Sequence, residues 1–374
     1  MNRRAAQLLS RGALRGLCKP LETGRSSLQS NVMKLRGGSS NVFAYSTAKP
    51  PQKVSSNAGR GTTSGRVAGV ASKSTASEDA STADGVQAIE DTAQKYYDDS
   101  SSFNFHRQVW GDTIHMGRYD LLEGVDADLT GKARMQRASD LATDTLFSKA
   151  FRGDGPSPSD CVMMDMGSSV GNLARTAATR YGCTVVCIDL SAAGNADNAE
   201  RSAAAGLSEK IIIPGERSYF DTGVAASTMD IVVSQDSLGH ASTQHFRAVK
   251  EAARVLKTGG IFVLTDLMRS DTADDAKLAE VYKQQKIAGL ASVASYKSWG
   301  DEFGLEFIEH FDYSSNFATH YGTVVEVIES MRGTMVGVDD HFIDWMLERY
   351  RAWVIAANTG LMTCGGLVFK KRAE

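Results

Sequence analysis

Five short apolar runs, CVMMDM, TVVCIDL, KIIIP, MDIVVSQD and GGIFVLTDL, punctuate residues 161–267, and the segments between them read as helices. Runs of this length, with no polar residue at alternate positions, read as strands buried on both faces. A parallel sheet covered by helices on both sides provides that burial. The helices are expected over Asn172–Tyr181, Ala193–Ala204 and Ser242–Leu256. Ser242 reads as an N-cap, and Gly259-Gly260 as the stop after RVLK. Farther on, LEFIEHF and GGLVFKK read as two more strands with long helices between them. The fold expected is a doubly wound α/β sheet with helical additions.

The chain around this region divides by composition. The net charge of −3 hides an asymmetry: the first 77 residues hold thirteen Lys or Arg and one acid, leaving 28 basic residues against 43 acids in the remainder. A folded part that acidic repels phosphates, which argues against a nucleic-acid role. The first residues interleave Arg3, Arg4, Arg11, Arg15, Lys19 and Arg25 with Leu8, Leu9, Leu14 and Leu17. Residues 1–45 therefore read as an organelle-targeting segment, mitochondrial first and plastid second, with a basic disordered tail as the plainer alternative. Only AAQLLS separates Arg4 from Arg11, too little for a secretory apolar core, and no run reaches the length of a membrane span. Residues 46–85, dominated by Ser, Thr, Ala and Gly, read as a disordered linker, and 86–374 as one folded domain. Five scattered cysteines with no C-x-x-C pair argue against a disulfide framework or structural zinc.

The stretch VMMDMGSSVGNLA carries the chemistry. A strand ends at Asp165, a glycine turn follows, and a helix begins. Glycine allows close backbone approach to a ligand, and a helix N-terminus offers free N–H groups. The dinucleotide fingerprint is incomplete, because Ser169 and Asn172 stand where further glycines belong. Asp189, 22 positions after Gly167, is placed to accept ribose hydroxyls. The Asp165 carboxylate would repel a pyrophosphate and suits an ammonium instead. A ligand combining ribose, adenine and a cationic amino acid is S-adenosyl-L-methionine. The expected donor-binding set is Asp165, Gly167, Ser168, Gly171, Asp189, Leu190, Gln235 and Tyr97.

The segments YYDD (96–99), VWGDTIHMGRY (109–119), SQDSLGH (234–240), TDLM (265–268), THYG (319–322) and FKK (369–371) are similar to the sarcosine/dimethylglycine N-methyltransferases that make glycine betaine. The resemblance runs from Tyr96 to the C-terminus. It implies a Rossmann-like methyltransferase sheet with an N-terminal helical lid that closes over the site. It further implies a small-molecule acceptor, sarcosine or dimethylglycine. Ser169, Asp189, Leu238-Gly239 and Leu267 depart from that family's usual residues, the last two places near the expected acceptor pocket. The alternative is an S-methyltransferase acting on a methylthio-hydroxy acid on a route to the sulfonium osmolyte dimethylsulfoniopropionate.

Methyl transfer from a sulfonium needs alignment and exclusion of water rather than a covalent nucleophile or a metal. His240, His115 and Asp236 are the catalytic candidates, with helix capping as the plainer role for His240 and Asp236. Tyr96, Tyr97 and Trp110 can face a methylated ammonium or simply pack the lid. Arg269, His320 and Tyr321 are candidates for an acceptor carboxylate, Met268 reads as core, and Lys370 and Lys371 as a solvated strand end.

Overall fold

The computed structural model describes residues 83–153, 155 and 157–373. The expected targeting segment and nearly all of the expected linker lie outside the described residues. The first described helix, α1 (Ala83–Asp98), starts three residues ahead of the boundary drawn at 86.

The five runs of the central region form β1 (Val162–Met166), β2 (Thr184–Ile188), β3 (Ile211–Ile212), β4 (Met229–Gln235) and β5 (Leu256–Arg269). The two later runs form β6 (Leu305–Asp312) and β7 (Met362–Lys371). All seven lie in one sheet of order β3-β2-β1-β4-β5-β7-β6. The first five are parallel, and β7 pairs antiparallel with both β5 and β6. The parallel sheet expected of the five central runs is thus present, and the two later strands make the whole sheet mixed. The chain reaches β7 after β6 is in place and slots between β6 and β5. Gly366 permits that approach, since a Cβ there would fall 2.1 Å from the Phe311 ring.

Period-two alternation explains why the strands look uniformly apolar. Met163, Val185, Cys187, Ile231 and Val233 point to one face, where α3 (Gly131–Ala150) and α4 (Asn172–Tyr181) cover them with Leu146, Phe147, Leu173 and Ala177. Met164, Met166, Val186, Ile188 and Val232 point to the other face. There α6 (His245–Val255) and α8 (Val293–Glu302) supply Ala248, Val249, Ala252 and Tyr296. Between them in sequence, α5 (Ala192–Ala204) follows β2 and α7 (Ala279–Gln285) follows β5. The four described cysteines are buried free thiols.

Two boundary readings are corrected. Ser242 does not cap α6: it sits at φ 55°, its hydroxyl accepts the Ala288 N–H at 2.8 Å, and Gln244 holds the N-cap position. Gly259-Gly260 does not stop α6, which ends at Val255. The pair lies in an irregularity of β5, where the register with β4 shifts between Met229 and Ile231. Gly259 there adopts φ +77°, and a Cβ on Gly260 would meet the Asp230 carbonyl at 3.0 Å.

A third apolar cluster lies over the carboxyl ends of the parallel strands. It joins Phe105 and Val109 of α2 (Ser100–Val109) and Trp110 to residues of α9 (Phe317–Met331) and α10 (Asp340–Asn358), among them Phe317, Tyr321, Tyr350 and Trp353. The expected N-terminal lid and C-terminal helical additions are therefore two halves of one packed roof. Among the described residues no helix is long and apolar enough to cross a membrane.

Candidate active site

The strand order reverses between β1 and β4, the position where open α/β sheets place ligands beyond their carboxyl ends. The loop after β1 is held there by β2. Gly167 and Ser168 both donate their N–H groups to the Ile188 carbonyl, at 2.8 and 3.1 Å. Ser169 donates its N–H to Asp189 Oδ2 at 2.7 Å, and Ser191 donates to Oδ1 at 2.8 Å. Ser169 adopts φ +47°, a left-handed conformation that a short polar residue tolerates when such a bond holds it. Burial raises the Asp189 carboxyl above its usual range, against the lowering effect of those two N–H groups. With the Leu190 N–H as a third donor, the carboxylate as a whole still keeps acceptor capacity beyond the groups it already meets.

This loop borders a cavity that is partly open to solvent. Of the expected donor set, Gly167, Asp189, Leu190, Gln235 and Tyr97 line it, as do all three catalytic candidates, His115, Asp236 and His240. Three expected residues do not. Asp165 and Ser168 line a much smaller pocket at the loop, and Ser169 takes the place in the main cavity expected for Ser168. Gly171 lines neither: a Cβ there would fall 1.9 Å from Asn198 Oδ1, so the glycine serves the packing of α4 on α5. Sequence reasoning missed Ser191, Gly194 and Tyr219 on the far wall.

The polar groups fit a nucleoside bearing a cationic amino acid. Asp189 offers acceptors for ribose hydroxyls. Asp165 Oδ2 and Ser168 Oγ are buried with no partner among the described residues. Burial, with the nearby Asp189 charge second, pushes the Asp165 carboxyl up to about 7. A bound ammonium would relieve both effects.

A second, smaller cavity opens from the first and shares Tyr97, His106, Ile114, His115, Asp236 and His240 with it. Its other walls include five aromatic residues, Tyr96, Trp110, Tyr321, Tyr350 and Trp353, beside Asp266, Gln285 and Arg349. Gly239 and Leu267, which depart from the family resemblance, line this cavity. The Tyr97 hydroxyl meets His240 Nε2 at 3.0 Å at the junction. Behind it His106 Nδ1 donates to the Ser102 carbonyl at 2.7 Å, leaving Nε2 to accept the Tyr96 hydroxyl at 3.3 Å. The histidines are kept neutral. Burial lowers His240 to about 3, helped by the Arg349 charge, and lowers His115 to about 4. His115 Nδ1 has no partner among the described residues.

Asp236 is no helix N-cap. At φ +52° its carboxylate turns toward the roof, Oδ2 accepting the Met116 N–H at 2.7 Å and Oδ1 the Thr265 hydroxyl at 2.7 Å. It fastens the segment that carries His115.

The guesses for an acceptor carboxylate divide. Tyr321 lines the second cavity. Arg269 lies elsewhere, 3.9 Å from Asp275. His320 is fully buried beside Tyr119 Oη, 3.3 Å away, outside the cavity wall. Met268 is core, as expected. The cation that reaches the cavity is Arg349 of α10, which sequence reasoning missed. Its signal was available: Arg349 shares the buried face spelled by Ile343, Met346, Leu347, Tyr350 and Trp353.

Comparison with known proteins agrees with this geometry. The methyltransferase domain family matches residues 164–264. The sarcosine/dimethylglycine N-methyltransferase of Halorhodospira halochloris is 30% identical over 287 residues, covering 76% of this chain and 97% of that protein. The glycine/sarcosine/dimethylglycine N-methyltransferase of Actinopolyspora halophila is 32% identical over 73% of this chain, which spans 46% of that longer protein. A solved Galdieria sulphuraria structure, described as a sarcosine dimethylglycine methyltransferase, superposes with a TM-score of 0.64 at 25% identity. That match covers 72% of this chain and 97% of the other.

Proposed function

The chain belongs to the sarcosine/dimethylglycine N-methyltransferase family and is an S-adenosyl-L-methionine-dependent methyltransferase, and from that premise we propose that its acceptor is a small N-methylated amino acid, sarcosine or dimethylglycine. The observation that carries this reading is the aromatic cavity joined to the donor cavity at the Tyr97–His240 contact. The rings of Trp110, Tyr321 and Tyr350, none of them paired with the Arg349 guanidinium, give N-methyl groups an aromatic surface to pack against. When bound, S-adenosyl-L-methionine supplies an electrophilic methyl group on a sulfonium. The chain's own residues hold the acceptor, exclude water and leave its nucleophilic atom free of a proton. The roof of α2, α9 and α10 performs the exclusion, and Asp236 keeps its inner edge in place.

His115 and His240 are too weakly basic to strip an ammonium at neutral pH. They can accept a hydrogen bond and thereby orient the free amine. One feature favours a second reading on the same scaffold. A wall whose histidines are held at about 4 and 3 suits an acceptor with no proton to lose, such as the sulfur of a methylthio-hydroxy acid.

An assay of the purified chain with labelled donor, run across pH against both acceptor classes, decides between them. Turnover of dimethylglycine is expected, with a rate that climbs as the free amine accumulates. Turnover of the thioether acid alone, with a shallow profile, overturns the nitrogen reading. Delivery to a mitochondrion is part of the proposal and rests on the basic amphipathic segment at the start of the chain. A fluorescent reporter fused to residues 1–60 is expected to enter the organelle, and a diffuse cytosolic signal overturns that part.

A further inference from the structure

Arg349 presents an energetic problem that the donor site does not solve. Its side chain is buried, with the residue 5% exposed, and a guanidinium cannot shed its proton in a protein. Among the described residues no carboxylate lies within ion-pair distance of it. Nη2 donates to the neutral Gln285 Oε1 at 2.5 Å, and Nε is buried with no partner. Its Cζ lies 5.0 Å from the Trp353 ring centre, 5.5 Å from Tyr96 and 5.9 Å from Trp345. Those faces attract the cation, and the Tyr96 hydroxyl lies within its reach, but none of these groups is an anion. A buried charge left in this state is costly unless an anion completes it.

We propose that Arg349 is the site that binds the carboxylate of the methyl acceptor and thereby sets which end of the acceptor meets the donor. The inference rests on the reading of the aromatic cavity as the acceptor site, and it holds for an amine acid and a thioether acid alike. Arg349 and Gln285 line that cavity, and His240 and Tyr97 stand where it opens to the donor side. A fork of N–H donors matches a carboxylate, and the same positive charge repels an ammonium or sulfonium. The acid end therefore goes to Arg349, and the nucleophilic end is left at the Tyr97–His240 junction.

The test compares each acid with its primary amide, using dimethylglycine and a methylthio-hydroxybutanoate as the two acids. Binding is measured on protein loaded with S-adenosylhomocysteine, for the native chain, Arg349→Gln and Arg349→Lys. The native chain is expected to prefer at least one acid over its amide by about 10- to 100-fold, the span for hydrogen bonds to a charged group. Arg349→Gln should lose that preference while its affinity for S-adenosylhomocysteine stays unchanged, which also shows that the variant is folded. Arg349→Lys should recover part of the preference, because the charge returns without the planar fork. Preference for the thioether acid alone supports Arg349 and overturns only the nitrogen reading. A native chain indifferent to acid and amide overturns the proposal, as does an Arg349→Gln variant that keeps the preference.

Discussion

The Tyr97 hydroxyl and His240 Nε2 stand 3.0 Å apart although 143 positions separate them in the chain, and both line the two cavities where those meet. Burial raises the Tyr97 hydroxyl well above its ordinary range and lowers His240 to about 3. Both partners are therefore neutral at physiological pH, and the phenol donates to the imidazole. Tyr97→Phe removes that donor and keeps the ring. A loss of about 0.5–1.5 kcal/mol in kcat/KM, roughly 2- to 10-fold, is expected. Steady-state kinetics reads it, and an unchanged kcat/KM would take the pair out of the reaction.

The Asp236 carboxylate is expected to act as a latch. Its two bonded partners, the Met116 N–H and the Thr265 hydroxyl, are both donors to it. Asp236→Asn turns an NH2 group toward one of them, while asparagine still tolerates the φ of +52°. Hydrogen exchange at the Met116 amide should accelerate by about 10- to 100-fold, the equivalent of losing a charge-assisted bond. Native-like protection of that amide in the variant would show that the roof is held by packing alone.

Asp189 holds the loop through the Ser169 and Ser191 N–H groups and is expected to bind the donor as well, so its removal should register in both. Asp189→Ala is expected to weaken S-adenosylhomocysteine binding by about 1.5–3 kcal/mol. It also leaves the Ser169 and Ser191 N–H groups without the acceptor they now have. Calorimetry on the folded variant measures the first effect and thermal denaturation the second. Undiminished affinity would remove Asp189 from the donor site, whatever happens to stability.

The buried Asp266 should give the protein a measurable pH dependence. Burial, with the Asp236 charge adding to it, pushes this carboxyl up to about 7 against the lowering effect of the Tyr296 hydroxyl, which donates to Oδ2 at 2.7 Å. A raised carboxyl binds its proton more tightly in the folded state than in the unfolded one. Its contribution is therefore fully present below about pH 4 and is lost as pH rises through about 7. Asp266→Asn has no such titration. The native chain should lose stability relative to the variant across that window, by at most about 1.4 kcal/mol per pH unit. Urea denaturation at several pH values checks it, and a constant offset between the two would refute the assignment.

Local chemistry was enough to read much of the framework. The helix Asn172–Tyr181 stands as the sequence spells it, because Leu173, Ala174, Ala177 and Ala178 repeat at helical spacing and Gly182 terminates the run in the left-handed conformation. The five parallel strands were legible for a similar reason: residues that alternate between two buried faces must nearly all be apolar. Asp189 and Gly167 could be placed at the cavity they line because the strand–loop–helix order alone puts them at a strand's carboxyl end.

Contacts between distant segments decided the rest. Gly171 looked like a ligand glycine but answers to Asn198, on a helix the loop does not contain. Ser242 looked like a cap but answers to Ala288, 46 positions away. Nothing local sets the direction of β7, which follows from where α10 returns the chain. Arg349 looked like one polar position on a mostly apolar helix face, and only the packing of α10 over the strand ends buries its charge in the second cavity. Periodicity records which residues are hidden, because burial repeats with the backbone's own geometry. It carries no record of what they are hidden against, because that is fixed by the summed packing of elements far apart in the chain.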